Sequence, residues 1–140
     1  MQLMKYGAVA VQIQDLDGLI SAQVQGAIDG PAARQVIGDA PLWAPLRLAH
    51  VVDYTRAAVQ LSAAELFAAA LAASPGDVPT AVVVTSDSWS IFSEYAALQA
   101  TRGVLKAVFL TSEQANRWAA DQARVRAFWL RARRALGSLP

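Results

Sequence analysis

Two aspartates that follow directly on apolar runs are the residues of this sequence best placed for chemistry. Asp53 follows "AHVV" and Asp87 follows "AVVVTS", and both runs are typical of strands. Ligands of open α/β sheets bind at the edge where neighbouring strands end, and two carboxylates there could serve acid–base chemistry. The commoner use of such aspartates is to cap turns and helices, and Asp87 in particular fits a cap. The candidate ligand cleft consists of Asp53, Thr55, Arg56, Ser86, Asp87, Ser88 and Trp89.

The sequence lacks the residues for most other kinds of active site. It contains no cysteine, which excludes disulfides, thiolate metal sites and cysteine nucleophiles. The single histidine, His50, lies within a predicted strand, and one histidine with scattered carboxylates is not a usual set of metal ligands. His50 and Asp53 are three residues apart on that strand, so they point to opposite faces and cannot share a catalytic triad. Because the glycine-rich phosphate loops and the G-x-S-x-G motif are also missing, we expect no catalytic residues, no metal and no cofactor.

Length and composition predict one cytoplasmic domain spanning residues 1–140. Apolar residues make up 55% of the chain and charged residues 16%, which excludes a disordered protein. The formal net charge of +1 argues against a surface made for nucleic acid or anionic lipid. The N-terminal residues lack the apolar core of a signal peptide, and the most apolar helical stretch is too short to span a bilayer.

An N-terminal hairpin opens the predicted fold. Residues 8–14 and 19–25 alternate between apolar and polar side chains, which is typical of half-buried strands. Asp15–Gly18 lies between them and has the composition of a turn. We therefore predict an antiparallel pair with one face of glutamines exposed to water.

Strands and helices alternate after the hairpin. Three fuller apolar runs predict strands at residues 46–54, 80–87 and 105–111. Capping signals, such as Ser62 with Glu65 and Thr111 with Gln114, mark the helix starts. The order β-β-α-β-α-β-α-β-α predicts an α/β fold with a five-stranded mixed sheet, in which parallel β-α units follow the antiparallel hairpin and a long helix ends the chain.

Two stretches carry a resemblance to a known family. "TAVVVTSDSWSIFSEYAAL" and "LKAVFLTSEQANRWAAD" resemble corresponding strand–helix units of the STAS-like (SpoIIAA-like) family of bacterial proteins, typified by the sporulation anti-sigma-factor antagonist. The resemblance covers residues of about 6–121. It implies a sheet whose parallel strands follow one another in order, with the helices mainly on one face. The exposed glutamines of the hairpin support this independently, because a sheet covered on both faces would not place them there.

The resemblance also implies where a phosphoacceptor would lie. In the anti-sigma-factor antagonists a serine follows the strand that "HVVDY" matches, within a turn like Asp-Ser-Ser-Gly. Here Thr55 and Ser62 are the hydroxyls of that region, but the motif is absent and Ser62 fits a helix cap better. We therefore expect no phosphorylation switch.

The C-terminal helix departs from the family pattern, which usually stops soon after the stretch that "RWAAD" matches. We predict an extension over residues of about 122–136, on which the apolar side chains fall on one side and arginines crowd the rest. It could bend back over the domain, contact a membrane surface or nucleic acid, or bind a partner. We predict a homodimer interface formed by Val125, Phe128, Trp129, Ala132 and Leu136.

Together these features favour a non-catalytic STAS-like module that regulates or binds another protein or a second copy of itself. The alternative is a carrier or sensor of a small apolar or lipid-like ligand, held between the sheet and the helices. The aromatic side chains that could line such a pocket, although they more often belong to a core, are Trp43, Phe67, Trp89 and Phe92. An enzyme ranks third, because no nucleophile, base and orienting group are visible together.

Overall fold

The computed structural model describes residues 2–16, 18–38, 48–72 and 78–137. Within these residues the strands are β1 (Gln2–Tyr6), β2 (Val9–Leu16), β3 (Leu19–Ile28), β4 (Ala49–Val59), β5 (Thr80–Val83) and β6 (Lys106–Phe109). The helices described are α1 (Gly30–Gly38), α2 (Ala63–Ala72), α3 (Trp89–Ala100) and α4 (Ser112–Gly137). Trp43, one of the aromatic residues considered for a ligand pocket, lies outside the described residues.

The strands form one mixed sheet in the order β1-β2-β3-β4-β5-β6. The pairs β1–β2 and β2–β3 are antiparallel, and the three remaining pairs are parallel. The predicted hairpin and the parallel β-α units are therefore confirmed. The turn of the hairpin is held by the carboxylate of Asp15, which accepts a hydrogen bond from the backbone N–H of Gly18 at 3.3 Å.

The prediction of five strands is wrong by one, because the sequence pattern does not reveal β1. β1 is an edge strand that pairs with β2, and its side chains that pack against the core are Met4 and Tyr6. The apolar Leu3 precedes Met4 directly and is exposed, so this five-residue segment lacks the strict hydrophobic alternation that marks β2 and β3.

The main core lies between the sheet and three of the helices. Val11, Val24 and Val52 from the sheet are buried in one cluster with side chains of α1, α2 and α3, such as Leu66 and Phe92. This arrangement confirms that the helices lie mainly on one face.

Of the four helices described, only α4 packs on the opposite face of the sheet. Ala115 and Ala119 of α4 are fully buried against small residues of β4 and β5, such as Val51 and Ala81. Small side chains on both sides let the helix approach the sheet closely. Because α4 contacts mainly β4, β5 and β6, the glutamine-bearing face of β2 and β3 is left only partly covered.

Polar side chains cap the starts of α1, α2 and α4. The carboxylate of Asp29 accepts a hydrogen bond from the N–H of Ala32 at 3.0 Å at the start of α1. At α4 the hydroxyl of Thr111 accepts one from the N–H of Gln114 at 3.3 Å. α3 differs: Ser88 occupies the cap position without a capping hydrogen bond from its side chain, and Asp87 is exposed.

The predicted capping box at α2 is present in both directions. The hydroxyl of Ser62 accepts a hydrogen bond from the N–H of Glu65 at 3.2 Å, and the carboxylate of Glu65 accepts one from the N–H of Ser62 at 3.1 Å. Two backbone donors that the helix itself cannot satisfy are thereby paired.

Replacing Ser62 with alanine should therefore destabilise the protein by about 1 kcal/mol, the usual effect of a lost N-cap. Urea denaturation followed by circular dichroism measures this change. Ser62→Thr is the matched control, because it keeps the accepting oxygen and should lose less than half as much. An equal loss in both variants would show that the cap is not the cause.

Candidate functional site

Asp53 and Thr55 form a local structure within β4. One carboxylate oxygen of Asp53, Oδ1, accepts hydrogen bonds from the backbone N–H of Thr55 at 2.7 Å and from its hydroxyl at 2.6 Å. At this point Gln23 is paired with Asp53, but Gln25 is paired with Arg56, so β4 carries one extra residue. Asp53 therefore stabilises a β-bulge, which is a structural use of its carboxylate.

The bulge changes which residues of β4 face the helices. Before it, the even-numbered Val52 and Tyr54 point into the main core, and after it the odd-numbered Ala57 and Val59 do so. Asp53 points to the opposite face, as predicted from its spacing to His50. One extra residue shifts the two-residue period of a strand by one position, so the bulge keeps both halves of β4 packed.

Asp53 lines a shallow polar depression of about 200 Å³ on the α4 side of the sheet. Gln23 and Ser21 of β3 form part of its floor, and Ser112 and Asn116 of α4 form one wall. Beside it, the guanidinium of Arg56 reaches the side-chain oxygen of Gln23 at 3.5 Å, and this contact is exposed to solvent. Of the predicted cleft residues, Asp53 lines this depression, and Arg56 lies beside it.

The predicted cleft residues that follow β5 lie elsewhere. Ser86 and Asp87 are exposed on the turn between β5 and α3, where the hydroxyls of Ser88 and Thr85 lie 3.2 Å apart. Trp89 lines a separate, larger depression, so Asp53 and Trp89 do not face one cavity. The structure thus does not bring the two groups of residues together in a single cleft.

The larger depression, which we call the β6 groove, has a volume of about 400 Å³ and lies where β6 meets α4. Its wall includes Trp118, whose ring centroid lies 6.0 Å from that of Phe109. The residues that line it are Trp89, Val108, Phe109, Leu110, Gln114, Arg117, Trp118 and Asp121. Sequence reasoning missed this groove, although Trp118 precedes Val125 and Trp129 by seven and eleven residues, a spacing that places the three on one side of a helix.

Among the described residues, a small cavity lies between the sheet and the three helices. A cavity of about 60 Å³ is lined by His50, Tyr54 and Phe92, among others. Burial raises the pKa of Tyr54 well above its ordinary value, and neighbouring Tyr95 raises it further. Pockets for drug-sized ligands have volumes of about 300–1,000 Å³, so this described cavity is too small for a lipid-like molecule.

The aromatic residues considered for a ligand pocket are also dispersed. Phe92 lies in the core, and its ring centroid is 4.9 Å from that of Tyr54. Phe67 packs on the rim of the core beneath the guanidinium of Arg102, and Trp89 lies in the β6 groove. Among the described residues no group of three or more His, Asp or Glu side chains could hold a metal ion.

The second half of α4 extends beyond the sheet. We call residues 124–137 the α4 overhang, because the last side chain of α4 that packs on the second core cluster is Ala123. Phe128 and Trp129 are 58% and 62% exposed, and their rings meet edge to face with centroids 5.8 Å apart. Val125 and Leu136 are exposed on the same helix, and Ala132 is half-buried. The helix continues without interruption to Gly137, so these aromatic side chains do not fold back onto the domain.

Comparison with solved structures identifies the fold. The chain is similar to the crystal structure of an anti-sigma factor antagonist from Mycobacterium paratuberculosis, with a TM-score of 0.53 and 20% identity over 80% of this chain and 94% of the other. It has a STAS-like fold.

A second solved structure is an uncharacterised DUF3478-family protein with a SpoIIAA-like fold from Shewanella loihica PV-4. It has a TM-score of 0.43 and 14% identity, over 83% of this chain and 98% of the other. No model of a protein family matches the sequence, and no curated protein matches it either.

The two hydroxyls considered as phosphoacceptors, those of Thr55 and Ser62, lie on β4 and at the start of α2 of the STAS-like fold. Thr55 donates its hydroxyl hydrogen to Asp53 within the bulge of β4, and Ser62 caps α2. A phosphate on Thr55 would bring two anions into contact, which is unfavourable. Both hydroxyls thus have structural partners in this STAS-like chain.

None of the helices in the described parts of this STAS-like chain combines the length and the apolar character that crossing a membrane requires.

Proposed function

We propose that this STAS-like protein is a non-catalytic, cytoplasmic interaction module that acts by binding protein, and that its first partner is a second copy of itself. The observation that carries the proposal is the exposed aromatic pair on the α4 overhang. Aromatic side chains at the centre of interfaces commonly contribute most of the binding free energy.

The distribution of side chains along α4 supports this proposal. The half that packs on the sheet is buried through Ala115 and Ala119, which are among the smallest side chains. The half that extends beyond the sheet carries Phe128 and Trp129, which are among the largest. A helix that served only its own domain would place its large apolar side chains against the core. Here the small side chains pack on the core and the large ones are exposed, which favours an interface.

The surface around the aromatic pair fits a protein partner better than a membrane or nucleic acid. The overhang carries Arg124, Arg126, Arg131, Arg133 and Arg134, but the formal net charge of the chain is only +1. Arg124 forms an ion pair with Asp121 one turn earlier, which reduces the charge of the stripe. Apolar contact therefore provides the main attraction, and the arginines surround it.

Sedimentation equilibrium of the wild-type protein and of a Phe128→Glu/Trp129→Glu variant tests the proposal. We expect a dimer for the wild type at micromolar concentration and a monomer for the variant. Truncation of an interface hot spot costs about 2 kcal/mol or more, and two are removed here, so the dissociation constant should rise at least about 100-fold.

Leu71→Glu is the matched control, because Leu71 is similarly exposed but lies on α2, on the other face of the sheet. This variant should remain dimeric, and circular dichroism should show the same helix content in all three proteins. If wild type and double variant are both monomers at micromolar concentration, self-association is not the function of the overhang.

A further inference from the structure

We infer that the aromatic pair of each α4 overhang binds in the β6 groove of a second copy, so that two α4 helices lie antiparallel across a two-fold axis. This inference rests on the proposed self-association and adds the position, the direction and the register of the contact.

The β6 groove has the properties of a binding site for aromatic side chains. Its volume is about 400 Å³, its walls include Trp118 and Phe109, and it is open along the side of α4. Leu110 and Trp89 expose 51% and 40% of their surface at its rim. Covering these exposed apolar side chains with another apolar group removes them from water, which lowers the free energy of the complex.

The groove and the overhang lie on the same side of one helix. Val125 and Trp129 follow Trp118 by seven and eleven residues, which at 3.6 residues per turn places all three in one line along α4. The first half of this line forms a wall of the groove, and the second half carries Trp129. Phe128 lies beside the line, about 80° around the helix. A helix with complementary halves can pair with a copy of itself in the antiparallel direction, which gives a closed two-fold dimer.

The spacing fixes the register. Trp118 and Phe128 are ten residues apart, about 15 Å along the helix, and Ala123 lies midway between them. If the two-fold axis passes at the level of Ala123, Trp118 of each copy lies level with Phe128 of the other and within one residue of Trp129. Both contacts then form at once. In this register Gln114 lies opposite Ala132.

The charges on one flank of α4 favour the antiparallel direction. Glu113, which is ion-paired with Arg117 of its own helix at 3.1 Å, and Arg131 are eighteen residues apart, which is five turns. Together with Arg124 they lie along one line of the helix. The antiparallel register brings Glu113 of each copy within one turn of Arg131 of the other. A parallel pair would instead place Glu113 next to Glu113 and Arg131 next to Arg131, which is unfavourable. The antiparallel register brings only Arg124 close to its own copy, and Arg124 is already ion-paired with Asp121.

Two exposed leucines of similar accessibility test the position of the contact. Leu110 lies in the β6 groove, whereas Leu105 precedes β6 and is 49% exposed. Leu110→Glu should raise the dissociation constant of the dimer at least about ten-fold in sedimentation equilibrium, although it lies far along the chain from the overhang. Leu105→Glu should leave it within about two-fold. Equal effects of the two variants would overturn the assignment of the groove.

Charge reversal tests the direction. Glu113→Arg and Arg131→Glu should each raise the dissociation constant about ten-fold, because each turns two attractions across the dimer into repulsions. The combined Glu113→Arg/Arg131→Glu variant restores opposite charges and should return close to the wild-type value. A combined variant that is as weak as the single ones, or weaker, would contradict the antiparallel register.

Oxidative cross-linking tests the register directly, because the chain has no cysteine of its own. A mixture of Gln114→Cys and Ala132→Cys chains should form a disulfide between unlike chains, and neither variant alone should form one. If each variant cross-links with itself, the helices are parallel. If the wild type is a dimer and no cross-link forms in the mixture, this inference is wrong while the proposed function stands; if the wild type is a monomer, both are wrong.

Discussion

Replacing Phe92 with alanine should destabilise the protein by about 3–5 kcal/mol, the range measured when a fully buried phenylalanine is truncated. Phe92 is only 2% exposed and joins α3 to the sheet. Its ring centroid lies 4.9 Å from that of Tyr54, and the ring meets Tyr95 edge to face at 6.3 Å. Truncation would remove both aromatic contacts and enlarge the cavity of about 60 Å³ that Phe92 already lines.

Guanidinium denaturation followed by tryptophan fluorescence measures this loss. Phe92→Leu is the control, because it keeps most of the volume and should lose only about 1–1.5 kcal/mol. A loss below about 1 kcal/mol for Phe92→Ala would mean that α3 does not depend on this residue for its position on the sheet.

Replacing Gly26 with alanine should destabilise the protein on the order of 3 kcal/mol. Gly26 has a φ of 106°, which side-chain-bearing residues rarely adopt. A Cβ atom there would lie 2.3 Å from the carbonyl oxygen of Ala8 in the turn between β1 and β2. Backbone strain of about 1–3 kcal/mol and displacement of that turn would act together.

Gly7→Ala separates these two contributions. Gly7 also has a positive φ, of 64°, but no neighbouring atom lies within 4 Å of the position that an added methyl group would take. Gly7→Ala should therefore destabilise the protein only by the backbone strain, which is about 1–2 kcal/mol. If both variants lose the same amount in urea denaturation, the contact between Gly26 and the β1–β2 turn does not contribute.

In the proposed dimer, the two halves of the C-terminal helix have different roles. Alanines in the first half position α4 on the sheet and leave Trp118 at the wall of the β6 groove. Phe128 and Trp129 in the second half then supply apolar surface of the kind the groove can accept. The same helix thus provides both parts of a symmetric contact, which is the simplest requirement for an isologous interface.

Local patterns in the sequence determined most of the elements. The two-residue alternation of β2 and β3 and the turn after Asp15 specified the hairpin, because one face must be buried and the other solvated. The capping box of Ser62 and Glu65 marked the start of α2 within one residue. The sequence placed Phe128 and Trp129 on the apolar side of the C-terminal extension, and the structure leaves both side chains exposed beyond the sheet.

Only the tertiary structure decided β1, the bulge and the division of the predicted cleft. β1 is held by backbone pairing to β2, which leaves little trace in side-chain pattern. The sequence predicts Asp53 at a strand end, but its bonds to Thr55 let β4 continue to Val59. Whether Asp53 and Trp89 share a cavity depends on how α4 crosses the sheet, and α4 separates the polar depression from the β6 groove. Such placement depends on contacts between residues distant in the sequence, which local periodicity and capping do not encode.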